Sequence, residues 1–189
     1  MSLWHRHIVG LICLVALSLM AAQDIQPTKP AVNVFDAGFF DASCGSPFVE
    51  SQLWYSVDGR VVSVGDGSTV LMTLTKGHRR VAVHLVGIAV EHKGALADEA
   101  KGFISSQVLN KSVEVLVNPD WLFQKKKPAE ITGVVWLKNN DVGLSLVTKG
   151  LARTEEPPPY TMSLYTFCKY REAETKAKSD KLGIWHSQQ

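Results

Sequence analysis

Hydrophobic and polar positions alternate from Val57 onward, in short runs separated by turn-forming residues. Val57 to Val64 reads as a strand, and Gly65-Asp66-Gly67-Ser68 as a turn rich in residues that tolerate positive φ. Thr69 to Thr75 sets Val70, Met72 and Leu74 on one face, and Lys76-Gly77-His78 turns the chain again. In the third run Val81, Val83 and Leu85 share one face, with Ala82, His84 and Val86 on the other. A period of two across three linked runs predicts a meander. The period then lengthens. Leu96, Ala100, Phe103, Ile104 and Gln107-Val108 fall on one stripe of a helix over 95–109. Ser112 to Val117 and Ile131 to Leu137 read as two further strands, with Lys125-Lys126-Lys127-Pro128 in the loop between them. A short helix over 142–149 ends at Gly150, suited to a C-terminal cap. After Pro157-Pro158-Pro159, a last helix over 165–181 carries Phe167, Tyr170, Glu174 and Ala177 on one side and closes with Gly183-Ile184-Trp185.

Five short strands with a helix between the third and fourth predict an α+β fold: a closed five-stranded Greek-key barrel of the OB type with about three α-helices. The domain is expected over 53–187. Upstream of it, Arg6, flanked by two histidines, precedes an apolar run from Ile8 to Met20 and then Ala21-Ala22. A basic start, a short apolar stretch and small residues at its end predict a signal peptide over 1–22. The run is shorter than the roughly 20 apolar residues of a spanning helix, so no stable membrane span is expected once it is removed. The expected location is secreted or periplasmic, the alternative being a protein anchored by an uncleaved signal. Residues 23–52 form an extension with three prolines and four phenylalanines, too hydrophobic for a plain disordered linker.

Charge narrows the partners. The formal net charge is +2, and only Arg6 among Lys, Arg, Asp and Glu lies in the first 22 residues, so losing them lowers it to +1. Nucleic-acid binding driven by phosphate neutralisation would ordinarily need a larger basic excess, so any such binding rests on a local patch. Two cysteines follow the signal, Cys44 and Cys168. In an oxidising compartment they either form one disulfide between the extension and the last helix or remain two buried thiols.

Several short motifs then occur in order. Asp66-Gly67-Ser68-Thr69 resembles the Asp-Gly-Asp-Thr turn of staphylococcal-nuclease (thermonuclease-like) domains, and His84-Leu85-Val86-Gly87-Ile88 resembles their Arg-Leu-x-Gly-Ile strand. Gly150-Leu151-Ala152, Glu174, Ala177 and Gly183-Ile184-Trp185 are similar to the segments that close that domain. The resemblance covers about Ser56 to His186. It implies the barrel fold and, for active members, a calcium ion, a glutamate acting on water and two phosphate-gripping arginines.

By the same resemblance, the chemistry is depleted. Ser68 stands at one metal-binding aspartate and Ala89 at the other, and a one-residue gap places Glu91 as general base. His84 and Thr132 stand where the arginines are expected. Tyr160 matches one of two cleft tyrosines, with a proline or Glu156 at the other. Each such loss typically costs about 10²–10³ in rate, though the losses do not simply multiply. The expectation is a binding or structural module without a cofactor, with Ca²⁺ only if the family mechanism survives. Asp66 remains a metal candidate. A rebuilt site from Asp58, Asp66, His84, Glu91 and His92 is the rival, and histidine would turn it toward zinc or manganese. Lys125, Lys126 and Lys127, near Trp121 and Phe123, read either as a solvated loop tip or as a grip on single-stranded nucleic acid. An envelope protein bound through the phenylalanine-rich extension is the other candidate partner.

Overall fold

The computed structural model describes Cys44 and residues 54–118, 129–156 and 162–186. Strands β1 (Tyr55–Val64), β2 (Thr69–Leu74) and β3 (Arg80–Leu85) form the expected meander, paired antiparallel. After β4 (Ile88–Ala89) and helix α1 (Ala95–Val108) come β5 (Ser112–Val117) and β6 (Glu130–Leu137). The main sheet runs β3-β2-β1-β5-β6 with the short Asn140–Asp141 strand added beside β6, and a parallel β3–β6 pairing closes the five long strands into a barrel. Closure leaves neither edge open for a foreign strand. A bulge between Val61 and Ser63 bends β1, as an extra residue in one strand of a pair does.

The alternation read from the sequence points inward as expected. Val70, Met72, Val81, Val83, Val113, Val115 and Val117 are buried, packed with Ala100, Ile104 and Val108 from α1. Removing each such larger side chain from water contributes on the order of 1.5–3 kcal/mol. After β6, β7 (Asn140–Asp141) leads directly into α2 (Val142–Thr148), which packs on β6, on α1 and on α3 (Leu164–Ser179). Asp141 caps α2 by accepting from the Leu144 N–H at 3.0 Å. Gly150 takes φ +67 after α2, as its position predicts. A 3₁₀ turn, Gly183–Trp185, ends the fold; the Ile184 N–H bonds to the Gly150 carbonyl at 2.9 Å, and Lys178 lies over the Trp185 ring.

Three two-residue strands were not expected: β4, β7 and β8 (Arg153–Thr154). Their pairing gives β4–β8 as a separate small sheet. Two residues carry no periodicity, so only the approach of their partners reveals them. Cys44 is bonded to Cys168 of α3, with Cα atoms 5.5 Å apart and 124 residues between them in sequence. Among the described residues, no helix is long and apolar enough to cross a membrane. The expected signal over 1–22 and the extension apart from Cys44 lie outside the described residues.

Candidate functional site

One end of the barrel brings together Asp66, Ser68, His84, Thr132, Ala89 and Glu91. The 65–68 turn is held by Asp66, whose Oδ1 accepts from the Ser68 N–H at 2.8 Å and from the Ser68 hydroxyl at 3.1 Å. This is the side-chain turn that aspartate characteristically makes. Burial pushes the Asp66 carboxyl up, but bonds from Ser68 and Thr69 outweigh it and hold the group below its usual range. Gly67 is buried in the turn, and a Cβ there would come within 2.8 Å of Ala100 and 3.4 Å of Val90. The turn therefore lies against α1 and against the residue preceding Glu91. The Leu85 N–H donates to the Ser68 carbonyl at 2.8 Å, joining the end of β3 to the same place.

His84 sits beside this turn. Its register neighbours are Thr69 on β2 and Thr132 on the parallel strand β6. Nδ1 lies 3.2 Å from the Thr69 hydroxyl and Nε2 lies 3.4 Å from the Glu130 carboxylate. Where the family resemblance places two guanidinium groups, this barrel has an imidazole facing a carboxylate, and a threonine. Glu130 was not foreseen as a participant, because nothing local ties it to a residue 46 positions earlier.

The third part is the β4–β8 sheet, in which Ala89 pairs with Arg153 and Ile88 with Thr154. Arg153 Nη2 forms an ion pair with Glu91 Oε1, and both side chains are about half exposed. Glu91, which the family resemblance casts as the general base, thus carries its own counter-ion. The sequence offered no signal for Arg153, since the contact spans 62 residues and depends on β8 meeting β4. β8 is fixed from behind by buried Glu174 of α3. Thr154 donates to it through its hydroxyl at 2.6 Å and through its N–H at 3.4 Å. Gly87, at φ +75, lets Met162 pack where a Cβ would otherwise stand, and its carbonyl accepts from the Glu155 N–H at 2.9 Å.

Not every candidate joins the group. Asp58 is exposed on β1, and its carbonyl bonds to Thr75 beyond the far end of β2, away from the 65–68 turn. It is not part of the cluster, which removes one carboxylate from the rebuilt site. His92 is exposed after Glu91. Lys125, Lys126, Lys127 and Tyr160 lie outside the described residues.

Calcium seeks roughly six to eight oxygens, preferably including two or more carboxylates. The oxygens near the turn do not fit that demand. Asp66 Oδ1 is already engaged by Ser68, Ser68 offers a neutral hydroxyl, Ala89 offers no side-chain oxygen, and the Glu91 charge is met by Arg153. Among the described residues, the one grouping of three His, Cys, Asp or Glu ligand atoms is Cys44, Cys168 and Glu172. Its two sulfurs are bonded to each other.

A curated protein from Pyricularia oryzae named "Probable endonuclease LCL3" is 27% identical over 187 aligned residues, covering 82% of this chain. The chain spans 66% of that relative's length. The family model described as "Staphylococcal nuclease homologue" matches residues 82–187, from within β3 to just past the closing 3₁₀ turn. That match covers more than half the chain, and it runs through His84, Glu91, Arg153 and the closing helix: the protein belongs to the staphylococcal nuclease homologue family.

Proposed function

We propose that this protein is an exported member of the nuclease family that has lost phosphodiesterase activity and works as a binding or structural module without a metal cofactor. One observation carries the reading: Glu91 is neutralised by Arg153 where Ala89 brings no carboxylate. Phosphodiester cleavage needs positive charge on the phosphoryl oxygens and a positioned nucleophile. Arg153 is engaged by Glu91, and His84 faces Glu130. Neither is arranged as a free phosphate grip. Export is supported by the leader-like first 22 residues and by a disulfide, which persists in oxidising compartments. OB-type barrels present loops and a strand face to oligonucleotides, sugars or peptides. The basic run at Lys125, Lys126 and Lys127 and the aromatic Tyr160 suit single-stranded nucleic acid as the ligand.

The second reading, a divergent metal-dependent nuclease using Glu91, is favoured by the name of the Pyricularia oryzae relative. One assay separates them. The purified protein is incubated with single-stranded DNA and RNA, with calcium, magnesium, manganese and zinc in turn. The expected result is intact substrate under every condition. Chelator-sensitive cleavage that disappears in Glu91→Gln would establish the nuclease instead.

A further inference from the structure

We infer that Cys44, Cys168 and Glu172 form a zinc site once the bond between the two sulfurs is reduced, so that this part of the protein has two states, a disulfide and a thiolate-bound metal. The three residues are not among those gathered at the barrel mouth, and the ion has no part in phosphodiester chemistry. Helix geometry builds two of the ligands. Cys168 and Glu172 stand four positions apart on α3, a spacing that puts two side chains on one face with Cβ atoms about 5–6 Å apart. The tertiary fold brings the third. Cys44, 124 residues before Cys168 in the chain, has its Cα 5.5 Å from that of Cys168. One ligand atom from each residue, the two sulfurs and a carboxylate oxygen, lie within 4.8 Å of one another. Zinc binds thiolate sulfur at about 2.3 Å, which in a tetrahedral site sets two sulfurs about 3.8 Å apart. That separation falls inside the span the three atoms already occupy, and rotation of the two cysteine side chains supplies it once the covalent bond is gone.

Donor type and charge select the ion. Calcium and magnesium seek oxygen, whereas two thiolates and one carboxylate suit zinc. Three anionic ligands exceed the charge of the ion by one. Lys169, its ammonium 3.1 Å from Glu172 Oε2, supplies the balance. A carboxylate accepts at about four lone-pair sites, so one group serves both the lysine and the metal. The cysteines are half-buried while Glu172 is 43% exposed, which leaves the fourth tetrahedral position to water. The exchange between the two states balances. An external dithiol gives two electrons to the disulfide, breaks the S–S bond and leaves as its own disulfide, its two protons passing to the Cys44 and Cys168 sulfurs. Zinc then displaces those two protons as it binds. The metal state thus belongs to the chain before the bond forms, or after a dithiol has opened it.

The test takes the protein purified from an oxidising compartment, with and without reduction by a phosphine, and measures zinc binding by competition with a chromophoric chelator. The reduced protein should bind one equivalent of zinc that the oxidised protein does not. Cobalt in place of zinc should give the charge-transfer band that marks thiolate ligation. Glu172→Gln leaves both cysteines in place and should weaken zinc at least about tenfold. A second measurement follows the return of the disulfide under an added oxidant. At zinc tenfold above its dissociation constant about nine-tenths of the chains are loaded, so the bond should re-form about tenfold more slowly in the parent and only about twofold more slowly in Glu172→Gln. Reduced, folded protein that takes up no zinc would overturn the inference. Equal uptake by the oxidised protein would assign the ion to other residues, and unchanged affinity in Glu172→Gln would show an adventitious pair of thiolates; either result overturns it. Reduced protein that loses its far-ultraviolet circular dichroism and does not regain it with zinc would do the same.

Discussion

Asp141 provides the sharpest test of the physical reasoning. It lies at the entry to α2, 5% exposed, accepting from the Leu144 N–H at 3.0 Å and from the Tyr170 hydroxyl at 3.0 and 3.1 Å. Burial pushes its carboxyl from 3.8 up to about 6, against bonds from Leu144, Tyr170 and Gly143 that hold it down. Tyr170 is pushed well above its ordinary value by burial and by Asp141, so it stays a donor throughout. Between the two carboxyl values the folded chain holds a proton that the unfolded chain has released. The stabilising contribution is therefore fully present below 3.8 and lost as pH rises through about 6. The shift of about two units corresponds to roughly 3 kcal/mol. Asp141→Asn keeps an acceptor for Leu144 and Tyr170 and remains a good helix cap, but cannot ionise. Urea denaturation of both proteins across a pH series isolates the effect, because the remaining titrations cancel in the difference. The variant should gain about 3 kcal/mol relative to the parent on going from below pH 4 to above pH 7. A flat difference would show that the burial argument is wrong. A difference of opposite sign would show that the hydrogen-bond donors outweigh burial.

Two further outcomes follow from the supports of the candidate site. Glu174→Ala leaves the Thr154 hydroxyl and N–H without their buried acceptor and should cost about 2–4 kcal/mol in chemical denaturation, whereas Glu174→Gln should cost less than half as much. Arg153→Ala breaks a pair whose side chains are 48% and 42% exposed, so solvent screening should hold its cost below about 1 kcal/mol, read as a small thermal shift. A larger loss would mean that the pair is more deeply shielded than its exposure implies.

The barrel was legible because its strands are amphipathic. Val81, Val83 and Leu85 alternate with Ala82 and His84, and one face of such a run must find a core. The end of α2 was legible for a similar local reason, since Gly150 sits at positive φ where side chains are strained; α3 instead stops before Gly183, with Asp180 as its cap and Lys181 taking the left-handed position at φ +53. Of the site, the order of Asp66, Ser68, His84, Ala89 and Glu91 along the chain was readable through family resemblance. Their partners were not. Arg153 and Glu130 are ordinary surface charges in sequence, and the pairing of β8 with β4 and of β6 with β3 makes them neighbours of Glu91 and His84.

Local pattern, then, determined which segments became strands and helices. Those choices depend on side-chain periodicity and on backbone freedom, both properties of adjacent residues. Tertiary structure decided the electrostatic state of the mouth. Whether a glutamate is a free base or one half of an ion pair depends on a guanidinium 62 residues away. Coulomb interaction follows distance in space, and the chain must close its barrel before that distance exists.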